Sequence, residues 1–85
     1  MSYLTAEVVK KSCSFVLQIE DPLETVGRLA ILFINEKLLV AAFEMYRYRN
    51  GDAMLILKCQ IENEKITKAK QMIEEVAGVM KLESI

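Results

Sequence analysis

Two cysteines, an acidic loop and an aromatic-cationic run are the stretches of this chain whose chemistry could reach beyond packing. Cys13 and Cys59 stand 46 residues apart with no C-x-x-C pair, and the 85 residues contain no histidine. A zinc site or a thiolate nucleophile draws on clustered Cys or on a His partner. Neither can be assembled here, so no metal or cofactor is expected, and the thiols read as buried structural residues in a reducing compartment. Without His the commonest general base is missing, and no paired-carboxylate, phosphate-loop or dinucleotide motif replaces it. The sequence reads as non-catalytic.

The acidic loop is Glu20-Asp21-Pro22-Leu23-Glu24. Asp followed by Pro suits a helix N-cap and first helical position, and Glu24 in the first turn complements the helix dipole. Those structural roles suffice for both carboxylates. Their alternative roles are to orient a ligand's amino group across a dimer interface, for Asp21, and to pair with a partner's cation, for Glu24. The run Tyr46-Arg47-Tyr48-Arg49 could stack flat ligands or bases. An RNA-reading sheet, however, needs aromatics on its first and third strands, where this chain has Val16, Met54 and Ile56. Eleven basic against twelve acidic residues leave a net charge of −1, without the basic excess that phosphate backbones require. No nucleic acid is expected, and the run reads as an edge strand protected by Arg and Tyr.

The elements that must position these residues follow from periodicity. Ser12 to Glu20 alternates Cys13, Phe15, Leu17 and Ile19 against Ser14, Val16, Gln18 and Glu20, the pattern of a half-buried strand. A helix follows from Pro22, with Leu23, Val26, Ala30 and Phe33 spaced by three or four and Leu29 widening the stripe, and Asn35-Glu36-Lys37 ends it. A second strand over about 38–49 meets Asn50-Gly51, a hairpin signal that turns a third strand, Asp52 to Ile61, back antiparallel. Asn63 reads as the cap of a second helix with Ile66, Ala69, Ile73 and Val76 on one face and Gly78 as its stop. Val79 to Ser84 forms the last strand.

This order predicts an α+β, ferredoxin-like βαββαβ domain over residues 12–85 behind an N-terminal arm of residues 1–11. Right-handed crossovers favour a four-stranded antiparallel sheet of order 4-1-3-2 with both helices on one face. Phe15, Leu17, Ile19, Leu55, Leu57 and Cys59 are expected under the helices. Val16, Met54, Ile56, Tyr46 and Tyr48 fall on the other face, which is too apolar to be wholly wet. Apolar residues make up 53% of the chain, more than one small core needs, and a domain this size gains stability by self-association. A homodimer is therefore expected. No run approaches the roughly 20 apolar residues that cross a bilayer, and the N-terminus carries its charges after its apolar residues, the reverse of a secretory signal. The expected location is the cytoplasm, with no membrane partner.

The stretch Glu20-Asp21-Pro22-Leu23-Glu24-Thr25-Val26-Gly27-Arg28-Leu29-Ala30-Ile31-Leu32-Phe33, set in that order of elements, resembles the ACT domain family. It is most similar to the small regulatory subunits of acetolactate synthase, with Asp21, Val26, Leu29, Leu32 and Phe33 matching the family pattern. The resemblance implies a stand-alone regulatory or interaction domain that pairs side by side and acts on a partner such as a biosynthetic enzyme subunit. It also implies an amino-acid site between the first strand–helix loop of one copy and the second-strand region of its partner. Here that site would draw on Asp21, Leu23, Glu24, Leu38, Leu39 and Val40. Glu24 stands where the family has Gly and Leu39 where a polar residue is frequent, so the groove is expected to be closed to free amino acids. The competing readings are a small ferredoxin-like enzyme or carrier with an intersubunit site, and a purely structural assembly module.

Overall fold

The computed structural model describes residues 10–84; residues 1–9 of the expected arm, and Ile85, lie outside them. In chain order the elements are β1 (Lys10–Ile19), α1 (Pro22–Glu36), β2 (Leu39–Arg47), β3 (Ala53–Glu62), a 3-10 turn (Asn63–Lys65), α2 (Ile66–Glu74) and β4 (Val79–Ser84). The four strands form one antiparallel sheet of order β2-β3-β1-β4, the expected order read from its other edge. Both helices lie on one face, as the pattern of the two half-domains requires.

Alternation decides which side chains go under the helices. On β1, Phe15, Leu17 and Ile19 are fully buried, and they lie opposite Leu57, Leu55 and Ala53 of β3. Leu29 of α1 and Ala69 and Ile73 of α2 close the core from above. Each large side chain removed from water contributes about 1.5–3 kcal/mol, which is what balances the entropy of ordering so short a chain. Thr25 is the one buried polar residue among those described.

The boundaries depart from the sequence pattern where backbone chemistry intervenes. Asp21 stands before α1, yet its side chain makes no capping hydrogen bond. Its backbone is left-handed (φ 45°, ψ 64°), and its carbonyl accepts the Thr25 N–H. Asp21 thus holds the N-cap position and Pro22 the first helical one, as read, but the residue starts the helix through its backbone and not its side chain. Asn63, by contrast, is not a cap but the first residue of the 3-10 turn, which precedes α2 without a side-chain cap. At the far end of α1, Lys37 adopts φ 56°. Leu38 N–H then bonds Phe33 C=O and Lys37 N–H bonds Ile34 C=O, the paired bonds of a Schellman stop. That stop occupies Leu38, so β2 begins at Leu39 instead of Leu38. β2 ends at Arg47 because Tyr48 enters the turn.

The hairpin itself holds three residues, Arg49-Asn50-Gly51. Tyr48 C=O accepts the Gly51 N–H, Tyr48 N–H bonds Asp52 C=O, and Gly51 takes φ 96°. Asn50 is not left-handed, so this is a type I turn with a glycine bulge, not a two-residue type I′ turn. α2 stops at Glu74, four residues before Gly78, which instead serves the turn into β4.

The outer face of the sheet is partly covered by its own tyrosines. Tyr48 Oη donates to Gln18 Oε1 at 3.0 Å, two strands away, and Tyr46 Oη to Glu44 Oε2 at 2.9 Å. Val16, Met54 and Ile56 are half-buried. The tyrosines thus supply some of the cover that the apolar face demanded.

Candidate functional site

The β1–α1 junction is held from below by a close approach. Thr25 Oγ1 donates to the Glu20 carbonyl, and Glu20 N–H bonds Gly78 C=O at 2.8 Å. Gly78, at φ 101°, lies so near that a Cβ there would sit 2.0 Å from Thr25 Oγ1. Arg28 adds a third tie, donating from Nη1 to Ala77 C=O at 3.0 Å while Nη2 lies 3.4 Å from Glu24 Oε2. The acidic junction is therefore mounted on the α2–β4 turn.

Of the sequence-derived site residues, the structure brings Asp21, Leu23 and Glu24 together. With Pro22 they line a shallow, open hollow of about 270 Å³, closed on its other side by Arg47 and Gly51 of the hairpin. Asp21 is exposed and, among the described residues, has neither a hydrogen bond from its side chain nor an ion pair. Glu24 is turned to Arg28 of its own helix. Leu38, Leu39 and Val40 are not part of this hollow. They lie at the opposite end of α1, whose fifteen residues span about 22 Å at 1.5 Å each. Within one chain the two segments cannot meet.

Between those ends runs a wholly apolar groove of about 190 Å³, lined chiefly by Val26, Ala30 and Phe33 of α1 and Val40 and Phe43 of β2. Val40 and Phe43 share this side although three positions separate them, because Ala41 is an extra residue in the β2–β3 ladder. Beside the groove the apolar face of α1 continues outward. Leu23, Gly27, Ala30 and Ile34 recur at spacings of four, three and four, and all are exposed. Leu23 and Ile34 are each 74% accessible and Phe43 57%. β2 is an edge strand, so one side of its backbone has no partner.

Phe43 and Lys37 were not singled out from sequence. The bulge hides the first from any strict alternation, and nothing in the residue type announces a left-handed lysine. Thr25 did leave a trace: Pro22, Thr25 and Leu29 step by three and four along the buried line of α1, with one hydroxyl among them.

Cys13 and Cys59 face each other across β1 and β3 and are free thiols. Burial, with a smaller contribution from Cys13, pushes the Cys59 thiol up to about 11, and burial also raises Cys13. Both stay protonated near neutrality, the opposite of an activated nucleophile. Among the described residues no cluster of three or more metal-ligating side chains exists, and no helix is long and apolar enough to cross a membrane.

No protein-family model matches the sequence, and no curated protein matches it. Solved structures do. The ACT domain from GTP pyrophosphokinase of Chlorobium tepidum superposes with a TM-score of 0.75 at 14% identity, covering 91% of this chain and all of that one. An uncharacterized protein from Thermotoga maritima gives 0.69 at 17% identity, over 89% and 95% of the two chains. The C-terminal domain of the MgtC protein from Mycobacterium tuberculosis gives 0.65 at 10%, over 96% and 92%. At such identities the likeness is one of fold, and it extends over nearly the whole chain: this protein has the ferredoxin-like βαββαβ fold of an ACT domain.

Proposed function

We propose that the chain is a non-catalytic ACT-like regulatory or interaction module that works as a side-by-side homodimer. One observation carries the reading: an apolar strip, running from the groove over Phe43 to Leu23 and Ile34 on α1, borders the open edge of β2. Exposed apolar surface beside an unpaired strand is what a second copy covers best. Two copies related by a two-fold axis present the same strand to each other and so pair it antiparallel, extending the sheet across both.

The readings of an enzyme or carrier gain no support from the protonated thiols. Whether the dimer also answers to a small molecule turns on Glu24 and Leu39, and both favour an assembly surface closed to free amino acids. A biosynthetic enzyme subunit, acetolactate synthase among them, is the partner class that the sequence resemblance suggests. The cytoplasm is the compartment in which free thiols persist.

Sedimentation equilibrium at micromolar concentration tests the dimer. The expected mass is twice that of the 9.7 kDa chain, and Phe43→Glu and Ile34→Glu should each give monomer. A single-chain mass for the native protein would refute the reading.

A further inference from the structure

Asp21 and Lys37 are the only non-glycine residues with positive φ among those described, at 45° and 56°. Each occupies a backbone conformation that glycine or asparagine adopts at lower cost. Each also carries a charge with no ionic partner among the described residues, where the ion pairs are Arg28–Glu24 and Lys65–Glu62. Left-handed side chains tend to be retained where they do something. The two flank α1, one at each end, about 22 Å apart over its fifteen residues, so they cannot meet within a chain.

Resting on the dimer proposed above, we infer that Lys37 of the partner subunit sits against Asp21, twice per dimer. The symmetry requires little adjustment. Asp21 and Lys37 are equidistant from Leu29, the midpoint of α1, and β2 has its own midpoint at Phe43. A two-fold axis passing between the copies at that level sets the start of each α1 beside the end of the other. It also sets the start of each β2, Leu39, level with Arg47 of the other. The hollow of Asp21, Glu24 and Arg47 then faces the Glu36-Lys37 corner, so Asp21 meets an ammonium and Arg47 a carboxylate. Charges of opposite sign at both positions favour the antiparallel register: a parallel alignment would set like charges together, and a shifted one would part the opposite charges. The site that Leu38 to Val40 were expected to complete is thus completed by the neighbouring Lys37, and any ligand amine bound at Asp21 would have to displace it.

Charge exchange between variants tests the contact. Asp21→Lys and Lys37→Asp should each weaken the dimer by roughly tenfold or more, since each sets like charges together at two places. An equimolar mixture should recover near-native affinity as a heterodimer, because every contact in it is again of opposite sign. Asp21→Asn and Lys37→Asn keep a residue suited to positive φ, so they should fold at least as well. Each should flatten the salt dependence of dimerisation, and the double variant should lose no more than either single one. A native dimer whose affinity is unmoved by these changes, or a mixture no tighter than its components, would overturn the inference and leave the dimer standing. A native monomer would instead remove the dimer, and this contact with it.

Discussion

Replacing Gly78 by alanine probes the joint on which the acidic junction rests. The added Cβ would lie 2.0 Å from Thr25 Oγ1, 3.0 Å from its Cβ and 3.1 Å from its Cγ2. Thr25 cannot swing clear: it is fully buried, its β-branched side chain has a restricted χ1, and its hydroxyl is engaged by the Glu20 carbonyl. Forced overpacking costs about 1–3 kcal/mol, and a side chain at φ 101° adds about 1–2 kcal/mol. The sum, about 2–5 kcal/mol, compares with a total stability of about 4–13 kcal/mol for a domain this size. Urea unfolding followed by circular dichroism, at fixed protein concentration, should therefore show a midpoint lowered by at least about 1–2 M for a slope near 1–2 kcal/mol per M. Thr25→Ala alone should cost about 1–2 kcal/mol, because the Glu20 carbonyl loses its donor. The double variant should then be more stable than the sum of the singles by about 1 kcal/mol or more, since Thr25→Ala removes the Oγ1 and Cγ2 that the new Cβ would meet. A cost below about 1 kcal/mol for Gly78→Ala, or strict additivity, would refute the close approach as the reason for glycine here.

Four further outcomes follow from the same structure. Leu29→Ala should destabilise by about 2–5 kcal/mol by opening a cavity between α1 and the sheet, measured by the same unfolding curve. Gly51→Ala should cost about 1 kcal/mol through φ 96° in the hairpin, read from the same unfolding curve. Raising the pH should weaken folding, because the unfolded chain releases the Cys59 proton near 9 while the folded chain holds it to about 11. The stability that burial of the neutral thiol supplies is whole below pH 9 and lost as pH rises through that window, and Cys59→Ala should flatten that part of a pH series of melting temperatures. Calorimetric titration of the native protein with valine, leucine, isoleucine, serine or phenylalanine should give affinities no better than millimolar. Glu24→Gly should open the hollow beside Asp21 at a stability cost of about 1 kcal/mol, and micromolar binding by the native chain would show that Glu24 does not close it.

The order of elements and the inner face of the sheet were legible because each rests on local periodicity, and the sheet order because crossovers are right-handed. Alternation put Phe15, Leu17 and Ile19 on one face with Leu55 and Leu57, and the crossover through α1 set β1 beside β3. The acidic junction was legible too, as a loop, from Asp21-Pro22 at a change of period. The capping roles were not. Asp21 and Asn63 have the residue type of caps, but whether a side chain caps depends on the backbone angle at which the chain enters the helix, and tertiary packing sets that angle. The place of Phe43 was hidden because one extra residue in β2 reverses which side later residues face.

By itself, the sequence determined the class of fold, the absence of histidine chemistry and the surplus of apolar side chains, since composition and short-range period fix these whatever the chain packs against. Only the tertiary structure decided where the surplus lies, along α1 and the open edge of β2, and that Gly78 answers Thr25 across 53 positions of sequence. It also decided that Asp21 and Lys37, sixteen positions apart, stand at opposite ends of one rigid helix. Contacts of that kind depend on the relative placement of whole elements, which no local run of residues encodes.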